Sequence, residues 1–275
     1  MTGTPASFSR FAAGDAVAWF DDHGLELVEE ADGRLFPRSN RSTSVIHTLR
    51  QAASTAGVEL RTSTALQAVE ALPQGGFNLQ LRGGAALSCE RLVLATGSHP
   101  SGRRLAAELG HGLVPPVPSL FTLALKPNPL VALAGVVMDP VDLELELDLD
   151  QGAGPPPPGM AHRFRQQGPL LITHWGLSGP AALKLTAFAA RALHHCGYRG
   201  SLRVDWSGGR TQPQLEQLFA DCRRDQARRQ LSNARPWPAL SRRLWQHLLD
   251  QQGVEPDRRW ADLGKRQQQG LIESL

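Results

Sequence analysis

Two periodicities of apolar and polar residues run along this chain. Val141, Leu143, Leu145, Leu147 and Leu149 alternate with Asp142, Glu144, Glu146, Asp148 and Asp150, which predicts a strand over 141–150 with one face on a core and one in water. Phe77–Leu81 alternates in the same way between the turn formers Gln74-Gly75-Gly76 and Arg82-Gly83-Gly84. Residues 92–95, Leu-Val-Leu-Ala, are apolar throughout and stop abruptly at Thr96-Gly97, the mark of a strand covered on both faces, as in a parallel sheet. Shorter strands are predicted at 25–28, 58–60, 120–125, 170–173 and 202–206.

Helical spacing marks the other regime. A helix is predicted over 15–23, with Ala16, Val17, Trp19 and Phe20 at helical spacing and Gly24 as its stop. A second spans 44–56, N-capped by Ser42 or Thr43 and carrying Val45, Ile46, Leu49, Ala52 and Ala53 on one face up to Gly57. Pro180 suits the first residue of a third, since its missing N–H would be an orphan there. Ser178 or Gly179 caps that helix, and its buried stripe is Leu185, Phe188, Ala189, Ala192 and Leu193. Beyond Gly209 the pattern is purely helical, with Leu215, Leu218 and Phe219, then Leu240, Leu244, Leu248 and Leu249, then 263–275. An Asp32-Gly33 turn precedes Pro37, which biases Phe36 to extended geometry. Prolines at 115, 116, 118, 127 and 129 mark a domain crossing, and four prolines between Gly154 and Gly159 a stiff polyproline loop. The expected division is 1–112, then a β-rich segment with one helix at 113–209, then a helical segment at 210–275.

Composition narrows the class. A chain of 275 residues, 41% hydrophobic and 20% charged, supports real cores and excludes general disorder. Cys89, Cys196 and Cys222 are widely spaced with no CxxC, so neither a disulfide framework nor a cysteine zinc site is expected and a reducing, cytoplasmic setting fits. The longest apolar run, 130–138, is too short to span a bilayer. Basic residues comprise 26 Arg and three Lys. They concentrate late, with Arg223, Arg224, Arg228, Arg229, Arg235, Arg242 and Arg243 against Asp221 and Asp225 between 221 and 243. That region reads either as a surface for phosphates, with Trp237 and Trp245 to stack bases, or as a solvated face with the tryptophans buried.

No GxGxxG or GxxxxGK[ST] is present to cradle a diphosphate. The end of the 92–97 strand is the most suggestive local feature, because ligands of parallel sheets lie beyond the carboxyl ends of strands. Residues 175–180 aim backbone N–H groups at a helix start, an anion site or an ordinary cap. His174 is the one histidine singled out for function, since His194-His195 lacks metal spacing on a helix. The carboxylates of 141–150 lie roughly 7 Å apart along a strand, which favours a solvated face over a metal site.

Four segments in order, Asp32-Gly-Arg-Leu-Phe-Pro-Arg-Ser39, Leu92-Val-Leu-Ala-Thr-Gly97, Leu109-Gly-His-Gly-Leu-Val-Pro-Pro-Val-Pro-Ser-Leu-Phe121 and Thr173-His-Trp-Gly-Leu-Ser-Gly-Pro-Ala181, resemble the bacterial FAD-dependent NAD(P)-oxidoreductases known as aminoacetone-oxidase-like or BaiN-like flavoproteins. The resemblance implies an α/β chain with a partial two-dinucleotide-binding flavoprotein fold, interrupted by an inserted β-rich domain and a helical segment. It places Ala95, Thr96 and Gly97 near the FAD, Ala65 beside the adenine, and Arg38 and Ser39 on the flavin side. FAD is the implied cofactor, NAD(P)H the implied electron donor and a small molecule the substrate, with no catalytic residue or metal assigned and no nucleic-acid or membrane partner expected. The family's opening glycine-rich fingerprint and closing glycine-rich stretch are absent. The chain is therefore expected to be a fragment lacking both ends, with impaired FAD binding. The alternatives are an Arg-rich nucleic-acid-binding module or a non-catalytic remnant.

Overall fold

The computed structural model describes residues 10–30, 33–152, 154–255 and 257–275; Asp32 of the expected turn lies outside them. The chain divides into two compact units, Met1–Val114 and Pro115–Leu275.

In the first unit, α1 (Ala13–Asp22) ends before Gly24, whose φ of +77° turns the chain out of the helix. β1 (Leu27–Glu29) then pairs antiparallel with β2 (Leu35–Pro37). Helix α2 (Ser42–Thr55) starts two residues earlier than expected. Its N-cap is Arg41, without a side-chain bond, so neither Ser42 nor Thr43 caps it. Its apolar face is only partly covered: Thr48 is buried, but Ile46 and Leu49 are exposed. β3 (Leu66–Ala71), β4 (Phe77–Leu81) and β5 (Ala86–Cys89) form an antiparallel meander, of which only β4 stands out in the sequence. Helix α3 (Pro100–Glu108) is not predicted by the apolar spacing. Its signal is Pro100 in the first turn behind His99, whose Nδ1 accepts from the Ser101 N–H at 3.2 Å. Arg104 ties α3 to β3 by donating to the Gln67 carbonyl at 2.7 Å.

Two expected strands are corrected. Residues 58–60 and 92–95 lie outside every strand among the described residues, and Val58, Leu60 and Val93 are exposed, Val93 at 84%. An apolar run becomes a strand only when a neighbouring edge accepts its hydrogen bonds, and neither run is paired with one among the described residues. Every strand pairing among the described residues is antiparallel, so the expected parallel sheet is not formed here.

The second unit is built on one curled antiparallel sheet of order β10-β7-β8-β9-β6. Its strands are β6 (Leu123–Ala124), β7 (Val137–Glu146), β8 (Arg163–Ile172), β9 (Gly176–Ser178) and β10 (Ser201–Asp205). The alternation behaves as its period demands up to Leu147: Val141, Leu143, Leu145 and Leu147 are buried. β7 itself begins and ends four residues before the predicted bounds. Its polar face meets β8, where Glu144 pairs with Arg165 at 2.9 Å, Glu146 with Arg163 at 2.8 Å, and Gln167 donates to Asp142 at 3.0 Å. These carboxylates thus belong to a cross-strand polar ladder.

Arg163, by its hydrogen bond and its charge, holds the Glu146 carboxyl below the usual carboxylate range. The pair is fully formed above the ordinary carboxylate pKa and is lost as pH falls through the depressed value. Arg163→Gln is expected to return Glu146 to the ordinary range in an NMR titration; an unmoved titration would show that the pair does not form in solution.

Helix α4 (Pro180–His195) follows Gly179, whose φ is +97°. It buries Ala181, Ala182, Leu185, Ala189, Ala192 and Leu193 and packs mainly on β8. Phe188 leaves the expected stripe and is 72% exposed, because the helix meets the sheet on its alanine-rich side. Helices α5 (Gln212–Asp225), α6 (Arg242–Gln251) and α7 (Lys265–Ser274) complete the unit. Their core centres on Trp245 and Trp260, stacked 6.2 Å apart at 12°, with Phe219 edge-on to Trp260 at 5.3 Å. Both indole N–H groups are satisfied, Trp245 by the Leu231 carbonyl at 2.7 Å and Trp260 by the Ala234 carbonyl at 3.0 Å. Among the described residues no helix is long and apolar enough to cross a membrane.

Candidate functional site

Arg38 and Ser39 share the wall of one cleft in the first unit, of about 840 Å³, with Leu25, Glu26, Arg41, Ser44 and His47 among its other residues. Local folding explains the grouping. Pro37 ends β2, the Asn40 N–H donates to the Pro37 carbonyl at 2.7 Å, and Asn40 takes a left-handed φ of +52°. That turn brings Ser39 against the start of α2, where its hydroxyl meets the Ser44 hydroxyl at 2.7 Å. Arg38 forms a short ion pair with Glu26, whose hydrogen bond and charge raise the guanidinium pKa further. The cleft thus combines Arg38, already paired with Glu26, with Arg41, His47 and the serine and threonine hydroxyls at the start of a 14-residue helix, a chemistry suited to a polar, hydrogen-bonding ligand.

Ala95, Thr96 and Gly97 do not line that cleft. They lie in the exposed segment leading into α3, where the His99 N–H donates to the Thr96 carbonyl at 3.2 Å. Gly97 has a φ of +58° and open space where a side chain would stand, so a flat ligand has access to its backbone. Thr96 packs closely against Gly102 of α3, where a β-carbon would lie 1.9 Å from the Thr96 hydroxyl. Ala65 lies just before β3, outside the lining of the Arg38–Ser39 cleft, its carbonyl accepting from the Arg82 N–H at 2.8 Å. Sequence reasoning misses Arg41, Ser44 and His47; their only signal is proximity to Pro37-Arg38-Ser39.

In the second unit His174 and Trp175 form the tip of the β8–β9 turn, Trp175 at 62% exposure. The tip is fixed from three sides. The Thr173 hydroxyl bonds both the carbonyl and the N–H of Gly176, Asn128 donates to the His174 carbonyl at 3.0 Å, and the Leu125 N–H donates to the Trp175 carbonyl at 3.0 Å. Trp237 and Trp245 are buried, which removes them as base-stacking surfaces.

A polar cleft at a helix start and an open glycine backbone are features that a large polar cofactor could use. They include no glycine-rich phosphate cradle.

Comparison with known proteins places the chain. Residues 117–275 match the HI0933-like protein barrel and H2TH domain, more than half of the chain. A 3-dehydro-bile acid delta(4,6)-reductase of Clostridium scindens is 27% identical over 76% of this chain and 49% of its own length. A ribosomal RNA dihydrouridine synthase of Escherichia coli is 27% identical over 98% of this chain and 62% of its own length. The chain therefore spans about half to three fifths of these curated relatives. Its curled antiparallel sheet and the helices that follow lie within the matched span, and the four ordered motifs agree with it: the chain belongs to the HI0933-like family.

Proposed function

We propose that this chain is part of a flavin-dependent oxidoreductase that reduces a carbon–carbon double bond conjugated to a carbonyl. The observation that carries the reading is that two curated relatives are named for reductions, one of a delta(4,6)-unsaturated 3-dehydro-bile acid and one that forms dihydrouridine in ribosomal RNA. A 3-oxo group in conjugation with such a double bond and the uracil ring share one reactive pattern, an alkene activated by a carbonyl. FAD is the cofactor this chemistry calls for, with NAD(P)H as donor; when bound it supplies the hydride transfer, and the protein orients it.

On this reading residues 1–112 are the retained part of a two-dinucleotide-binding domain, 113–209 a β-rich insert and 210–275 a helical insert, in a cytoplasmic enzyme. Arg38 and Ser39 would hold the cofactor on its flavin side, the backbone of Ala95, Thr96 and Gly97 would pass close to it, and Ala65 would lie near the adenine. Without a phosphate cradle in its sequence, this chain holds FAD weakly. The substrate is either a small enone or a uridine of RNA.

Titration of the purified chain with FAD, followed by flavin fluorescence, is expected to show weak, saturable uptake that the double variant Arg38→Glu, Ser39→Ala weakens about tenfold, or ~1.4 kcal/mol. Anaerobic NAD(P)H oxidation that depends on an added 3-oxo-Δ4 steroid or on uridine-containing RNA would then establish the reaction class. A chain that takes up no FAD at any concentration, or whose uptake ignores Arg38 and Ser39, overturns the assignment.

A further inference from the structure

The arginines that the sequence spreads over more than forty positions converge on one frame. Residues 227–231 and 258–261 run side by side: the Leu231 N–H donates to the Arg258 carbonyl at 2.8 Å, the Trp260 N–H to Arg229 at 3.1 Å and the Ala261 N–H to Ala227 at 3.1 Å. Gln230 and Arg259 form an antiparallel bridge between them. This ladder sets Arg228 and Arg229 beside Arg258 and Arg259. Side chains tie in two more, Arg223 through the Ala261 carbonyl at 3.4 Å and Gln268 at 3.2 Å, and Arg242 through the Asn233 side chain at 3.0 Å.

The frame keeps its charge. Residues 223–243 and 258–266 hold eleven basic side chains and two acidic ones, Asp225 and Asp262. Among the described residues only Arg224 of this set is ion-paired, to Asp221 and Asp225. Arg223, Arg229, Arg242 and Arg258 instead donate to carbonyls and amides, which orient a guanidinium without neutralising it. Glu255 and Asp257 stand just before Arg258 and, among the described residues, make no ion pair with it. Beneath the frame Trp245 and Trp260 are fully buried, and no large apolar side chain after Tyr198 is exposed among the described residues.

We propose that this arginine frame binds RNA through the phosphodiester backbone and that RNA carries the double bond to be reduced, the second half resting on the reductase reading above. Oriented guanidinium forks match the bidentate geometry of phosphate. With no exposed ring to stack on, such a surface reads shape and charge rather than bases. An interfacial membrane site would need apolar side chains to insert, and the frame presents none. A small enone makes no use of six clustered cations, so of the two substrate classes the polyanion is the one this surface serves.

Binding of a labelled, duplex-containing fragment of ribosomal RNA to the chain, measured against salt, tests the assignment without any flavin. Binding is expected at about 50 mM salt and should fall steeply towards about 200 mM. The triple variant Arg228→Glu, Arg229→Glu, Arg259→Glu should bind at least ~tenfold more weakly and lower the salt slope by about 2–3, at roughly 0.7–0.9 for each phosphate that is no longer neutralised. A control triple of equal charge change, Arg50→Glu, Arg82→Glu, Arg191→Glu, should leave the slope unchanged. Thermal melting checks that both stay folded, and glutamine replaces glutamate in the frame if they do not. No binding at low salt, equal loss in both triples, or tighter binding of duplex DNA or phosphatidylserine vesicles overturns the proposal. Failure of RNA binding with enone reduction intact removes this surface and leaves the reductase reading. RNA binding with neither enone nor uridine reduced removes the reading and leaves the surface.

Discussion

Replacing Trp260 with alanine is expected to lower the unfolding free energy of the second unit by about 3–5 kcal/mol. The indole is fully buried, stacks on Trp245, meets the edge of Phe219 and donates to the Ala234 carbonyl at 3.0 Å. Alanine removes the ring and leaves that carbonyl without its partner, so a cavity cost and an unsatisfied acceptor act together. A domain at the low end of ordinary stability, ~5 kcal/mol, would then sit close to its unfolding midpoint. Trp260→Phe keeps an aromatic ring and loses the N–H, so it should cost about 1–3 kcal/mol. Urea denaturation followed by circular dichroism distinguishes the two; a loss under about 1 kcal/mol for the alanine variant would mean that the stack is not packed in solution.

Gly176→Ala is expected to cost more than about 3 kcal/mol for a different reason. A β-carbon at Gly176 would lie 2.0 Å from the Leu123 carbonyl oxygen and 3.0 Å from the Ala124 α-carbon. Both neighbours are backbone of β6, paired to β9 through Leu123 with Leu177 and Ala124 with Gly176. No rotamer relieves that clash, so the edge strand must separate, and the turn presenting His174 and Trp175 must move with it. Beyond the loss of stability, amide hydrogen exchange should rise at Leu125, whose N–H is held by the Trp175 carbonyl. An unchanged melting midpoint together with unchanged exchange would contradict the close β6–β9 approach.

Much of the second unit is legible from periodicity. The alternation of 141–147, the proline at the start of α4 and the leucine spacing of α6 each state a local demand that the fold meets, because the partners of these elements lie within the same compact unit. The first unit is less legible. Residues 92–95 ask for two covering faces and Ile46 and Leu49 for one, and the described residues supply neither. β3, β5 and α3 escape the sequence pattern for the opposite reason: their own signals are weak, and pairing with β4 or packing on β3 forms them. The Arg38–Ser39 pair is readable because Pro37 and Asn40 set a local turn, whereas Arg41, Ser44 and His47 join it only once α2 begins.

What this sequence determines by itself is local: where the chain alternates, where prolines and glycines stop it, and which four motifs mark its family. The tertiary structure decided which apolar faces are covered, which carboxylates of β7 are neutralised, and which arginines are not. The sequence shows two separate arginine-rich stretches, one from 223 to 243 and one near 258. Only the ladder between 227–231 and 258–261 makes them one surface, because backbone hydrogen bonds between distant segments depend on the buried tryptophan core that holds those segments together. Charge is a property of residues, but its concentration at one place is a property of packing.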